Sequence, residues 1–118
     1  MIELFTDRTT AAIEIALGGV AERQRVSSHN IANVNTPNFR SSRVEFEDQL
    51  GQALRSGGSL DRVVANKVRA NTPVDSRGND VAMELETQDL IESGLHYQAL
   101  VDALNFKLGA LRTAIGQR

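Results

Sequence analysis

Cysteine and tryptophan are absent from this chain of 118 residues, and aromatic side chains make up only 4% of it. The absence of cysteine excludes disulfides, cysteine metal sites and thiol nucleophiles, and it is compatible with either redox compartment. Aromatic side chains usually dominate compact cores, so burial here falls to aliphatic side chains. Seams of aliphatic residues suit helices packed side by side better than a globule.

Charge of one sign and long apolar runs are also missing. The 13 Lys and Arg against 15 Asp and Glu give a net charge of −2, with no basic block for nucleic acid or anionic lipid. We therefore expect neither as a partner. No run approaches the ~18 apolar residues of a membrane span, and no secretory signal peptide is visible. If the protein leaves the cytoplasm, we expect it to bypass the general secretory route.

The length allows one modest domain with a thin core. Its first segment, residues 1–35, lacks proline and places apolar residues at helical spacing, including Leu17 and Val20 on one track of fours and threes. We predict a long helix with an imperfect coiled-coil seam. Gly18 and Gly19 inside it are compatible with close approach of another backbone, or with a kink between two helices.

The second segment, residues 36–78, has a weaker pattern and is predicted to be a linker. Residues 43–56 place apolar side chains roughly on one face, which indicates a short amphipathic helix. The remainder, about residues 55–76, is interpreted as an extended loop, with a short strand at 62–68.

The third segment, residues 79–118, carries the clearest periodicity. Its apolar residues step by four and three, with only Thr87 and Gly94 not apolar, which is typical of a coiled coil. Asp80 is the predicted N-cap. The predicted seam of the two long helices is formed by Leu17, Val20, Leu90, Tyr97, Val101, Leu104, Leu108, Leu111 and Ile115.

Two helices of similar length can pair along their whole lengths. We therefore predict an all-α fold: an antiparallel coiled-coil hairpin of two long helices, with a short helix and an extended loop between them. Such a hairpin leaves apolar positions on its outer faces, which other subunits would cover. The pattern favours an assembling protein over a freestanding monomer.

Catalytic chemistry has no support in the sequence. His29 and His96 are the only histidines, and neither has a second histidine or grouped carboxylates at ligand spacing. The pair of Glu92 and His96, one helical turn apart, is best interpreted as an ordinary surface pair. No glycine-rich phosphate loop occurs. We expect no enzyme, no metal and no cofactor.

One stretch gathers polar residues with poor helix propensity at a helix end: "SSHNIANVNTPNF", residues 27–39. Pro37 ends the helix, and "TPNF" fits a type II turn in which Asn38 takes positive φ. Asn30 and Asn33 lie side by side on the helix surface. Two interpretations remain open for these residues, a polar helix cap or contact with a neighbouring subunit.

This stretch resembles the signature of the flagellar axial proteins, the rod, hook and hook-associated family, which typically reads "S-x-N-I-A-N-x-N-T-P-G-Y". Asn38 and Phe39 replace the usual glycine and tyrosine. The resemblance implies that the matching residues, together with Phe39, contact neighbouring subunits: Ser28, Asn30, Ile31, Ala32, Asn33, Asn35, Thr36 and Pro37.

The short length and the segments "RVEFEDQL", "GNDVAMELE" and "LHYQALVDALNFKLGALRTAI" resemble the proximal rod proteins of that family. This implies a structural subunit that is exported through the flagellar type III apparatus and assembles into the periplasmic rod of the basal body. Implied partners are copies of itself, other rod proteins, and membrane-ring or export-gate components. The alternatives are a longer type of rod subunit, or a soluble helical adaptor that forms a closed oligomer.

Overall fold

Two long helices give the protein an elongated shape of 67 × 26 × 14 Å. The computed structural model describes residues 2–116, with side chains from residue 8 onward. Met1 and residues 117–118, which the predicted first and last segments include, lie outside the described residues. The elements are α1 (Ile2–Ala32), β1 (Ser42–Glu45), α2 (Glu47–Ser56), a 3₁₀ turn (Leu60–Arg62), β2 (Asn66–Arg69) and α3 (Met83–Gly116).

A small sheet corrects the prediction of an all-α fold. β1 and β2 pair antiparallel, with Ser42 opposite Arg69. The predicted helix at 43–56 was wrong over its first four residues, because Arg43 to Phe46 alternate between exposed and buried, the period of a strand. The chain is mostly helical, with two strands between its long helices.

The helix α2 lies along the N-terminal half of α1. At its C-terminal end Arg8 of α1 donates hydrogen bonds to the carbonyl oxygens of Ala53 (2.9 Å) and Gly58 (3.0 Å). The carbonyl of Ala53 also accepts the backbone amide of Gly58 (3.1 Å), so the guanidinium adds a bond that ties the end of α2 to α1. Gly57 ends α2 with a φ of 70°, the left-handed conformation that favours glycine.

The core lies where α1, β1 and α2 meet. Its buried members are Val20, Val26, Val44 and Phe46, with Ala16, Leu50 and Leu100 packed against them. A Cβ on Gly19 would lie 2.4 Å from carbons of the Phe46 ring. The group that approaches Gly19 closely is therefore an aromatic ring and not another backbone. The helix α1 continues through Gly18 and Gly19 without a break, so the alternative of two helices was wrong.

The helix α3 begins later than the sequence pattern suggested. The amide of Glu86 donates to the carbonyl of Ala82 (2.9 Å), which places Ala82 at the N-cap position. Asp80 is therefore not the cap, and its carboxylate instead accepts a hydrogen bond from the backbone N–H of Ser41.

Candidate assembly interface

The polar stretch forms a turn directly after α1. Asn38 has a φ of 62°, and the amide of Phe39 donates to the carbonyl of Thr36 (3.3 Å). The predicted positive φ at Asn38 is therefore confirmed. The Asn38 amide donates to the carbonyl of Arg77 (2.9 Å), which joins this turn to the segment ahead of α3.

Asn79 and Arg77, which lie in the segment ahead of α3, form hydrogen bonds to the turn that follows α1. The Asn79 amide group donates to the carbonyls of Asn33 (2.9 Å) and Thr36 (2.8 Å). The Arg77 guanidinium donates to the carbonyl of Val34 (3.2 Å). These bonds hold the turn that follows α1, in which the carbonyls of Asn33 and Thr36 also accept the backbone amides of Thr36 and Phe39. The segment "RGND", residues 77–80, is therefore hydrogen-bonded to the end of α1 and the turn that follows it.

Asn30 is an internal residue. Its side chain is 1% exposed; Nδ2 donates to the carbonyl of Ser42 (2.8 Å) and to Glu86 Oε1 (3.0 Å), and Oδ1 accepts from the Ser42 amide (3.3 Å). Within the subunit, the polar atoms of the Asn30 side chain are therefore bonded to Ser42 and Glu86. A single amide here links α1, the start of β1 and α3, and its burial leaves no surface for a partner.

Asn33 also has partners within the chain. Its Nδ2 donates to the carbonyl of His29 (2.9 Å), and its Oδ1 accepts from the Thr36 hydroxyl (3.0 Å). These are the bonds of a local helix end. The asparagines at the end of α1 thus form hydrogen bonds within the subunit. Asn30 is buried and bonds other segments, and Asn33 bonds neighbouring residues of the helix end.

The layer around Asn30 is polar although it lies between two helices. Ser27 and Glu86 are buried there with it, and Ser93 is buried two helical turns further along α3. Burial raises the pKa of Glu86 above its usual value; hydrogen bonds from Asn30 and Ser27 oppose the shift, and the charges of Asp89 and Asp80 add to it. The surroundings of Glu86 therefore disfavour the ionised form of its carboxyl group.

The pKa of Asp80 is shifted in the opposite direction, below its usual value. Burial opposes ionisation of its carboxyl, but hydrogen bonds from Ser41 and from Arg40 Nε (3.2 Å) outweigh burial and lower its pKa. The carboxylate of Asp80 thereby fastens the chain just before β1 to the segment just before α3.

The other signature residues lie at the same end of the molecule. Phe39 is half-buried and its ring meets that of His29 edge to face, with centroids 5.7 Å apart. Ile31 is also half-buried. The exposed members are Ser28, Ala32, Asn35, Thr36 and Pro37.

The seam residues divide into two groups. Val20 is buried, and those that are half-buried are Leu17, Leu90, Val101, Leu104 and Leu111. Tyr97, Leu108 and Ile115 are 38%, 44% and 66% exposed. The side of α3 that faces α1 instead includes Glu86, Ser93 and Leu100, one residue before the predicted positions 87, 94 and 101.

A second apolar surface lies on α3, on the side away from α1. Ile91, Leu95 and Phe106 are 63%, 67% and 80% exposed. Their spacing of 4 and 11 residues puts them on one side of the helix, opposite Glu86, Ser93 and Leu100. We call these three residues the outer stripe. Exposed apolar residues on one side of a helix make this surface a candidate for contact with another molecule.

The described part of the chain was searched for metal-binding groups and for membrane-spanning helices. Residues 8–116 contain no group of three or more His, Asp or Glu side chains that could hold a metal ion. No described helix is long and apolar enough to cross a membrane.

Sequence reasoning missed Asn79, Arg77 and Glu86. Glu86, Ser93 and Leu100 form a heptad series of their own. That series was available in the sequence, but it competed with the more apolar one a residue later.

Comparison with known proteins gives consistent relatives. No family model matches the chain. It is 30% identical to the flagellar basal body rod protein FlgB of Yersinia enterocolitica, over 86% of this chain and 89% of that protein. It is 29% identical to FlgB of Bacillus subtilis strain 168, over 91% and 92% of the two chains. The identity with FlgB of Escherichia coli strain K12 is 26%, over 92% and 96%.

Proposed function

The chain belongs to the FlgB family of flagellar basal body rod proteins, and from that premise we propose that it builds the proximal part of the rod by helix packing between subunits. Members of this family are structural components of the basal body and not enzymes. The chain accordingly associates with other components of the flagellar basal body.

The outer stripe on α3 carries the proposal. Ile91, Leu95 and Phe106 are the kind of side chains that a coiled-coil layer would bury, and α1 occupies the opposite side of their helix. Burying an apolar side chain of this size stabilises an interface by roughly 1.5–3 kcal/mol. Subunits stacked side by side in a rod would cover the stripe.

The proposed subunit architecture is an antiparallel coiled-coil hairpin that acts as one unit. Asn30 near the end of α1 bonds Glu86 near the start of α3, and Leu100 packs on the core around Val20. These contacts support antiparallel pairing of residues 1–35 with residues 79–118. Residues 36–78 would then be a side element at one end of the hairpin.

The route and the partners are part of the same proposal. We place the subunit in the periplasmic rod after export by the flagellar type III apparatus, which would not require a secretory signal peptide. Its partners are copies of itself, other flagellar rod proteins, and membrane-ring or export-gate components at the rod base. The exposed signature residues, such as Asn35 and Pro37, would contact such neighbours.

A substitution in the outer stripe tests this function. Leu95→Gln combined with Phe106→Gln should leave the helix content of the purified protein unchanged, because both side chains are exposed and Gln is a good helix former. In a strain that lacks its own copy of the gene, the variant should fail to enter the basal body and should abolish swimming.

The matched control is His96→Gln, on a different side of the same helix. It should support normal swimming. If the double variant built rods as well as wild type, the outer stripe would have no role in assembly. If the wild-type protein formed a closed dimer or tetramer and never entered a rod, an adaptor function would replace the proposal.

A further inference from the structure

A cleft lies at the end of the molecule where α1 ends and α3 begins. Its volume is about 190 Å³, compared with about 30 Å³ for a water molecule in the liquid, so it has room for one long side chain. Its apolar wall is formed by Val26, Val44, Ala82 and Leu85. Glu86 and Asp89 contribute carboxylates to it.

Neither carboxylate forms an ion pair with any of the described residues. Arg23 and Arg43 also line the cleft. Arg23 is bound to Glu47 at 2.6 Å and Arg43 to Glu45 at 2.8 Å.

The direction of the pKa shift at Asp89 also indicates that nearby cations do not fully neutralise its carboxylate. Burial and the charge of Glu92 raise the pKa of Asp89 even though Arg23 opposes the shift. An apolar wall beside unneutralised carboxylates fits a basic side chain with an aliphatic stem.

The charges of α3 are separated along its length. Residues 83–92 contain four acidic residues, and no Lys or Arg occurs between Gly78 and Phe106. Beyond Asp102 the chain has no acidic residue, while Lys107 and Arg112 lie on α3. Glu86 and Arg112 are about 39 Å apart at 1.5 Å per residue.

The helix dipole explains only part of this separation. It favours acidic side chains in the first turn and basic ones in the last, and its effect falls off beyond them. Glu84 and Glu86 lie within that reach. Asp89 and Lys107 lie further inside the helix, so another reason is needed for their placement.

We propose that the cleft receives Arg112 from the C-terminal end of α3 of a second copy of this chain, in a head-to-tail contact. The inference rests on the proposed rod function, since it names a contact between subunits of that assembly. Arg112 is exposed, and among the described side chains none forms an ion pair with it. A contact between opposite ends of an elongated subunit does not close on itself and continues as a filament.

Charge reversal on the full chain tests the contact. Asp89→Lys and Arg112→Glu should each weaken self-association about ten-fold in sedimentation, the loss expected for one partly desolvated charge pair. The variant that carries both reversals should regain wild-type association, because the pair is restored with exchanged signs. Association of the wild-type protein should also weaken as salt is raised.

Glu84→Lys is the matched control, because it makes the same charge change at an exposed position outside the cleft. It should weaken association by less than two-fold. An equal loss in Glu84→Lys, or no recovery in the doubly reversed variant, would overturn the contact. A loss with Asp89→Lys but not with Arg112→Glu would overturn it too, since the cleft would then receive another partner.

Rod incorporation in cells separates this inference from the proposed function. If Asp89→Lys entered rods and supported swimming as wild type does, the cleft contact would be wrong while the rod function stood. If the wild-type chain itself failed to restore swimming to a deletion strain of its source, the rod function would fail.

Discussion

At the scale of single residues, several polar or small residues in and around α1 have specific contacts. Asn30 bonds two other segments, and Asn79 donates to two carbonyls of the turn that follows α1. Gly19 is small because the Phe46 ring occupies the place of a Cβ. Neighbouring residues of the same type can therefore have opposite requirements, as the two adjacent glycines show.

Gly19→Ala should destabilise the protein, while Gly18→Ala should stabilise it. Both replacements gain about 1 kcal/mol of helix propensity. At Gly19 the new methyl group would overlap the Phe46 ring, at a cost of about 1–3 kcal/mol, whereas Gly18 has no atom within 4 Å of the new methyl. Urea unfolding of the purified variants measures the difference.

A second substitution identifies the cause. Phe46→Leu should reduce the penalty of Gly19→Ala when the two are combined, because the smaller side chain leaves room for the methyl group. Equal stability of the two alanine variants would show that the ring can move aside without cost.

At the scale of elements, α1 and α3 meet through a polar layer as well as an apolar one. The apolar heptad pattern of α3 would place Thr87 and Gly94 against α1. In the structure the buried residues there are instead Glu86 and Ser93. Buried polar groups are costly unless they are paired, so a slip of one helix along the other would leave Asn30 and Glu86 without partners. The layer thereby favours one register of the two helices.

Glu86→Gln should change how stability depends on pH. Because the folded-state pKa of Glu86 is raised above 4.5, its contribution is fully present below that pH and is lost as the pH rises through the raised value. The free energy of unfolding of wild type should therefore fall, relative to Glu86→Gln, as the pH rises above 4.5. Thermal unfolding across this range measures the difference.

Glu84→Gln is the control for that measurement. It removes the same charge from an exposed position in the same turn of α3, so its curve should run parallel to that of wild type. A constant offset between wild type and Glu86→Gln at all pH values would contradict the predicted cost of ionising Glu86.

At the scale of the whole molecule, one side of α3 faces its own subunit and other positions face outward. Leu104 is half-buried, while Leu108, four residues later, is 44% exposed. The sequence pattern placed both in one seam. A subunit with apolar residues on both sides of a helix is suited to join its neighbours, as the family of rod proteins requires.

Leu104→Asp and Leu108→Asp should therefore fail in different ways. A charge at the half-buried Leu104 should lower the stability of the isolated subunit by roughly 2 kcal/mol. A charge at Leu108 should leave the melting curve of the subunit nearly unchanged but block its entry into rods. Circular dichroism of the purified proteins and swimming assays separate the two effects.

Equal melting temperatures for the two aspartate variants would contradict this division. The exposed Asn105→Asp, on the same stretch of α3, adds the same charge outside the seam. It should melt like wild type and should support swimming.

The sequence by itself determined the two long helices, the turn at Pro37 and Asn38, and the resemblance to rod proteins. Each depends on local rules: the period of apolar residues, the fixed φ of proline, and a contiguous motif. The predicted strand at 62–68 overlaps β2, at Asn66–Arg69. The strand β1 was missed because Arg43 to Phe46 alternate over only four residues, too few to outweigh the helical pattern that follows.

Only the tertiary structure decided which residues the helices bury against each other. Two heptad series one residue apart run along α3, and the more apolar one was not the one that faces α1 most closely. The choice depends on Asn30, whose bonds to Ser42 and Glu86 join residues 12 and 56 positions apart in the chain. Periodicity describes one helix at a time, whereas a buried hydrogen bond between distant segments exists only once they are packed.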